Sequence, residues 1–259
     1  MRSRSTLDQT FLRYVVGSKE FTDHVRSIIT GVNVPHIAGR DIAAFEFTLP
    51  PLSIQLQIGK ILAAYDDLIE VNQRRIAIVE EMARRLFDEW FVRFRFPGHG
   101  KERLVESSLG KVPATWRVEP LSVIVENIKV GTKPGSHLAD RRYVPIECIS
   151  RRSLALGDSM PWQDAQSSLQ LFEEGDILFG AMRPYFHKVA IAPFPGVTRS
   201  TCFVWRACLP RYRSFAALVA FDDRLVAFAT AHSKGSTIPY AQWDGSLSDY
   251  RVSVPPTTA

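Results

Sequence analysis

Between residues 54 and 93 apolar side chains return at alternating steps of four and three: Ile58, Leu62, Tyr65, Ile69, Asn72, Ile76, Val79, Ala83, Leu86 and Trp90. Asn72 is the one polar member of the series. A 3.5-residue repeat is the period of a helix lying along another helix. Pro50 and Pro51 precede the run, Ser53 is placed to cap it, and Phe96-Pro97-Gly98 closes it. A helix of roughly forty residues spans about 60 Å. With one narrow seam it gains little stability alone. The pattern thus predicts one long helix over residues 53–96 whose seam packs on a second helix. No other stretch offers a match of that length, so the partner is expected from another chain or from a lost segment.

The polar, aperiodic run 97–108 reads as a linker. Beyond Leu109 the pattern changes to short strand-like runs: Arg142 to Ile149, Asp176 to Gly180, Lys188 to Ala192 and Thr201 to Ala207. Turn signals such as Gly131-Thr132-Lys133-Pro134-Gly135 and Pro193-Phe194-Pro195-Gly196 separate them. A helix is predicted from about Ser214 to Ala231. The fold class is α+β, with a globular domain over residues 109–259 attached to one long helix.

The chain ends resemble each other. An amphipathic stretch, Phe11 to Ile29, leads into Gly31-Val32-Asn33-Val34-Pro35-His36 and then Glu46-Phe47-Thr48-Leu49-Pro50-Pro51. Another, Phe215 to Ala231, leads into Gly235-Ser236-Thr237-Ile238-Pro239-Tyr240 and then Arg251-Val252-Ser253-Val254-Pro255-Pro256. Pro35 and Pro239 lie 204 residues apart, Pro50 and Pro255 205 apart. So long a period marks a duplicated domain rather than a solenoid. Residues 1–52 are expected to be the C-terminal part of one copy, with a whole copy in 109–259.

Composition narrows the function classes. With 259 residues and 46% hydrophobic content the chain can bury a sizeable core. A net charge of +5 suits an anionic partner, though mildly. Cys148, Cys202 and Cys208 share no metal-type spacing and read as reduced thiols of a cytoplasmic protein. No export signal and no membrane-length apolar run is present.

Three passages carry a family resemblance. Leu49-Pro50-Pro51-Leu52 with Gln55, Ile58, Asp66, Ile69, Asn72 and then Leu86-Phe87-Asp88-Glu89-Trp90-Phe91 is similar to the central spacer helix of the DNA specificity (S) subunits of type I restriction–modification systems. Leu109-Gly110-Lys111-Val112-Pro113-Ala114-Thr115-Trp116, with Leu121, resembles the opening of their target-recognition domain. Glu174-Gly175-Asp176-Ile177-Leu178-Phe179, with Arg183, Lys188 and the Thr201-to-Val204 run, resembles its middle. The resemblance implies two recognition domains alternating with two antiparallel spacer helices. It implies a partial S subunit here: the tail of a first recognition domain, one spacer helix, and a second recognition domain, without the second spacer. It implies a non-catalytic subunit that reads double-stranded DNA and docks the methyltransferase (modification) subunit, with the restriction subunit reached through the complex. A second S-type chain is a further expected partner.

DNA reading needs donors at base edges and cations at phosphates. Among the basic and histidine side chains between Lys129 and Arg199, including Arg151, Arg152 and His187, those ranked highest for DNA contact are Lys133, Arg141, Arg142, Arg183, Lys188 and Arg199. Each taken singly reads more readily as an ordinary solvated surface charge; the set, together with the resemblance, favours DNA contact. Tyr185, Phe186 and Trp162 could stack or belong to the core; Trp116 and Trp205 are placed in the core. Asp66-Asp67, Glu80-Glu81 and Asp222-Asp223 read as solvated helix faces. The six histidines form no His-Glu-x-x-His pattern, and no Gly-x-Ser-x-Gly elbow, methyltransferase motif or phosphate loop occurs. No catalytic residue, cofactor or metal ligand is expected. The alternative reading is a long-helix dimerisation or protein-interaction module, or an inactive remnant of an S subunit.

Overall fold

In the computed structural model, residues 6–29 and 37–256 are described. The Gly31–His36 passage of the first repeat lies outside them. The chain divides into two compact units, Met1–Arg75 and Ile76–Ala259.

The first unit holds α1 (Gln9–Val16), α2 (Lys19–Ile28), the short α3 (Gly39–Ala43) and the beginning of α4 (Leu52–Phe87). The amphipathic stretch predicted as one element is therefore two helices. Gly17 ends the first, and the Ser18 hydroxyl caps the second by accepting from the Phe21 N–H. α4 starts a residue before the expected cap: Pro51 O accepts the Ile54 and Gln55 N–H groups, so Ser53 sits inside the first turn. Gln55, buried, fixes this start. Its Nε2 donates to Thr6 O and Pro50 O, and its Oε1 accepts the Asp8 N–H at 2.8 Å. At Gly59 an added Cβ would stand 3.3 Å from the Thr10 side chain, so glycine lets α1 approach the long helix. Tyr14 Oη donates to Asp66 at 2.8 Å and Arg13 pairs with the same carboxylate at 3.0 Å, so Asp66 is no free solvated acid.

α4 runs 36 residues, about 54 Å, and passes into a single π-type turn, Asp88–Val92. The predicted long helix is present, closing near residue 92 rather than 96.

Among the described residues the second unit holds the end of α4, thirteen strands and two further α-helices. β1 (Leu104–Ser107) and β2 (Gly110–Pro113) form a hairpin. Half of the predicted linker is thus structured. Its turn closes through Gly110 at φ +85° and the Ser107 hydroxyl, and its strand carries no apolar alternation to betray it. There follow β3 (Arg117–Pro120), β4 (Val125–Ile128), β5 (Gly131–Thr132), β6 (Arg142–Tyr143), β7 (Met160–Pro161), β8 (Leu169–Phe172), β9 (Ile177–Gly180), β10 (Val189–Ile191), β11 (Gly196–Thr198) and β12 (Cys202–Ala207). Then come α5 (Arg213–Ala220), α6 (Asp223–Ala231) and β13 (Arg251–Val254). The run Arg142 to Ile149 is a strand for two residues only; Pro145 has no N–H for a ladder, and a 3-10 turn follows. The predicted helix 214–231 breaks at Phe221, and Asp222 caps α6 by accepting the Arg224 N–H.

One sheet has the antiparallel order β10-β9-β12-β4; the other, mixed, is β5-β8-β11-β6-β7. Alternation along strands divides the core. Ile177, Phe179 and Trp205 face one layer with α5, α6 and Phe87, while Leu178, Cys202 and Val204 face another with Val144, Ile146 and Phe172. Buried on both faces, β9 reads as an unbroken apolar run. Trp116 and Trp205 are buried as expected. Burial pushes the Cys202 thiol up to about 12, while Cys208 is exposed.

The duplication recurs in three dimensions. α1 and α5 are both eight residues long and 204 residues apart, and their successors begin at caps Ser18 and Asp222, again 204 apart. The ring of His24 meets Phe45 at 5.2 Å; at the equivalent positions Phe228 meets Tyr250 at 5.0 Å.

Candidate nucleic-acid interface

Asp176 underlies the geometry of the second unit. Gly175, at φ +86°, turns the chain into β9 and leaves the Asp176 carboxylate buried. Arg206 on β12 grips it with Nε and NH2 at 2.8 and 2.7 Å, and the Glu173 N–H adds a third bond at 2.8 Å. That bidentate pairing raises the guanidinium above its ordinary range. The Gly-Asp motif is therefore scaffold.

The basic loops rise from this frame. Arg183 and His187 flank a 3-10 turn, Pro184–Phe186, and both hold a left-handed φ of 51°. His187 is buried. Its Nε2 lies 3.0 Å from Phe221 O and its Nδ1 3.1 Å from Asp223 on α6. Burial, the largest influence, pushes its pKa down despite the Asp223 charge. This histidine anchors the loop and does not face a groove. Asp223 also pairs with Arg152 at 3.1 Å, and Asp222 pairs with Arg224, so neither acid is a plain solvated face. At the loop tip Tyr185 is exposed and packs edge-on against Phe186, over which the Arg151 guanidinium lies at 4.0 Å. A backbone bridge joins Arg151 to Lys188.

Of the six cations expected at DNA, the structure brings some into internal work. Arg141 bonds Phe172 O at 3.0 Å and pairs with Glu173 at 2.8 Å, fastening strand ends. Lys188 Nζ donates to Ile146 O at 2.6 Å. Arg183 is half-buried, with a buried Nε that has no partner among the described residues. Arg142 is exposed and bonded to Ser159 through Nε at 3.1 Å. Arg199 is exposed beside the Tyr143 hydroxyl, whose pKa burial raises against the arginine's opposing pull. Lys133 is exposed in the turn after β5, where Thr132 Oγ1 and His137 Nε2 lie 2.9 Å apart. Lys234 was absent from the expected set: it is exposed and joined to Tyr240 by paired backbone bonds, while the Arg183 N–H donates to Pro239 O next door. Trp162 is half-buried against Leu138, Tyr143 and Val197.

One residue that sequence reasoning misread joins these loops to the long helix. Glu80 accepts from Ser153 Oγ at 2.9 Å, from the Leu154 N–H at 2.7 Å and from the Ala155 N–H at 3.0 Å. It holds the loop that directly follows Arg151-Arg152. Its neighbour Glu81 pairs with Arg84 and Arg85. Along α4 six of the ten seam positions are exposed, among them Tyr65 at 62%, Ile69 at 54%, Val79 at 63% and Leu86 at 48%, while Ile58, Leu62, Ala83 and Trp90 are half-buried. Ile61, Leu68 and Met82, beside the seam, are exposed too. Among the described residues no cluster of three His, Cys, Asp or Glu side chains could hold a metal, and no helix is long and apolar enough to cross a membrane.

A long helix with exposed apolar positions, a sheet-built domain and basic loops on that domain make this an α+β chain. Residues 9–81 match the family model of the type I restriction modification DNA specificity domain. It is 29% identical over 117 residues to the type I restriction enzyme MjaIX specificity subunit of Methanocaldococcus jannaschii, covering 45% of this chain and 27% of that one. To the MjaVIII specificity subunit of the same organism it is 27% identical over 120 residues, covering 46% and 27%. The matched stretch thus spans about a quarter of these curated relatives. The solved type-I restriction-modification system S subunit from M. genitalium is 15% identical, covering 96% of this chain and 62% of that one, at a TM-score of 0.45, too loose a superposition to support an argument.

Proposed function

We propose that this chain is a non-catalytic DNA-recognition subunit of a type I restriction–modification complex. Residues 109–259 act as a target-recognition domain that meets one half-site, and residues 1–52 are the closing part of another such domain. Lys133, Arg142, Arg151, Arg199 and Lys234 supply the exposed cations, with Arg183 and Tyr185 on the strained loop between them. Arg141 and Lys188 support the loops from beneath. The carrying observation is the Glu80 clamp: the loop next to Arg151-Arg152 is fastened to the long helix. A reader held at a fixed distance along a ruler needs such a joint. Chemistry belongs to the modification and restriction partners, and α4 contributes to docking the methyltransferase subunit.

The open seam of α4 pairs with a second long helix, and a second copy of this chain can supply it. The seam is symmetric about Arg74: Asn72 and Ile76 each lie two residues from it, Ile69 and Val79 five, Tyr65 and Ala83 nine, Leu62 and Leu86 twelve. In an antiparallel pair centred there, every seam position meets another, Asn72 opposite Ile76 of the second helix and apolar opposite apolar elsewhere. Fluorescence anisotropy with duplex DNA at several salt concentrations tests the reading. Affinity should fall steeply with salt, and each lost phosphate contact should lower the log–log slope by about 0.9. Binding independent of salt and of Arg142→Ala and Arg199→Ala would instead favour a pure helix-pairing module.

A further inference from the structure

The two similar passages differ in what covers their helix pair and closing strand. In the C-terminal copy, β13 is paired antiparallel with β3, Val252 opposite Glu119 and Arg251 opposite Pro120. The chain then turns so that the Leu121 N–H donates to Tyr250 O at 2.8 Å, and Leu121 and Ile124 are sealed at 0% exposure among Ala216, Val219, Ala220 and Leu225. The structural equivalents in the N-terminal copy are Glu46–Leu49 for the strand, Phe45 for Tyr250, and Leu12, Val15, Val16 and Phe21 for the helix residues. There the backbone of Glu46–Leu49 makes no hydrogen bond to another described backbone group. Leu12, Val15, Val16, Phe21, Phe45 and Phe47 line an open groove of about 540 Å³, and Phe47, Leu49 and Val16 are 37%, 48% and 36% exposed. The same cradle is filled in one copy and open, among the described residues, in the other.

We propose that the groove of the N-terminal unit receives an extended segment of another polypeptide with the pattern of Arg117–Ile124: a four-residue strand ending in proline, then a leucine that plugs the groove. The incoming strand pairs antiparallel with Glu46–Leu49, a mode in which main-chain bonds supply affinity and the pockets between alternate side chains supply selection. Register follows from the filled copy, so the residue equivalent to Glu119 stands opposite Phe47 and the leucine N–H meets Phe45 O. Aliphatic and aromatic walls with no charged lining select the leucine and reject a carboxylate at that position.

The probe is a fluorescein-labelled peptide of residues 114–125, titrated into the full chain. The expected result is saturable one-to-one binding, weakened at least about tenfold when the peptide carries Leu121→Asp, the cost of burying a charge in an apolar site. Phe47→Asp and, separately, Val16→Asp in the chain should abolish binding. Both positions are exposed, so helical circular dichroism should remain that of the unaltered chain. A photo-crosslinker in place of Glu119 should label residues 46–48. No saturable binding, or binding indifferent to both chain variants, would overturn the proposal. So would a chain that refuses the peptide yet self-associates through this face and becomes monomeric with Phe47→Asp, a result that assigns the groove to a second copy.

Discussion

The smallest features that decide this molecule are buried charges and one buried histidine. Asp176 is enclosed and held by Arg206, so Asp176→Ala leaves a partly covered guanidinium without its carboxylate; an unfolding titration should show a loss of about 3 kcal/mol. Glu80→Ala should cost about 2 kcal/mol, because three donors lose a charged acceptor, and Glu80→Gln should recover most of it. The pH dependence has a definite sign. His187 is held below its ordinary pKa by burial, so the folded chain binds fewer protons than the unfolded one between the two pKa values. Stability is therefore complete above about pH 6.5, the unfolded value, and falls as pH drops toward the folded one. The melting temperature of the chain should decline from pH 7.5 to 5.5, and His187→Gln should flatten that decline. None of these roles was legible beforehand. Asp and Glu pairs on helices look alike whether they face water or clamp a loop from far along the sequence, and Glu80 with Leu154 is such a pair.

At the scale of elements, the long helix was the most legible feature. Its seam repeats without a slip, and only its ends moved: Pro51 opens it and a π-type turn closes it. Strands were read well where they are buried on both faces, as β9 and β12 are, because they appear as apolar runs. They were misread where a proline stops them at Pro145 or where a hairpin is largely polar, as in β1 and β2. Helix breaks at Gly17 and Asp222 were also missed, since the apolar pattern continues across both and only the capping chemistry interrupts it. The seam supports a definite test. When Asn72→Cys and Ile76→Cys chains are mixed, mild oxidation should join one variant to the other, because an antiparallel pair centred at Arg74 sets these positions opposite, whereas a parallel pair would link each variant to itself. Ile69→Asp with Val79→Asp should remove that dimer. Cross-linking that is instead efficient at Leu62→Cys with itself would mean a parallel pair.

For the whole molecule, the likeness of the chain ends is matched by α1 with α5 and α2 with α6, whereas α3 has only a 3-10 turn near its counterpart, and the candidate interface was only partly readable. Exposed Lys133, Arg142 and Arg199 stood in the expected set, but so did Arg141 and Lys188, which bond main-chain carbonyls. A list of cations holds no record of which are occupied from within. Two recognition domains fixed by a two-fold helix pair would present the same loops twice in inverted orientation. The most direct measurement is therefore selection of duplexes from a random-sequence library by the full chain, alone and with a type I modification subunit, followed by sequencing. The expected result is enrichment of a short motif, present in two inverted copies at one fixed spacing, and lost with Arg142→Ala and Arg199→Ala. A library that emerges unenriched, with salt-insensitive retention on the chain, would contradict DNA recognition.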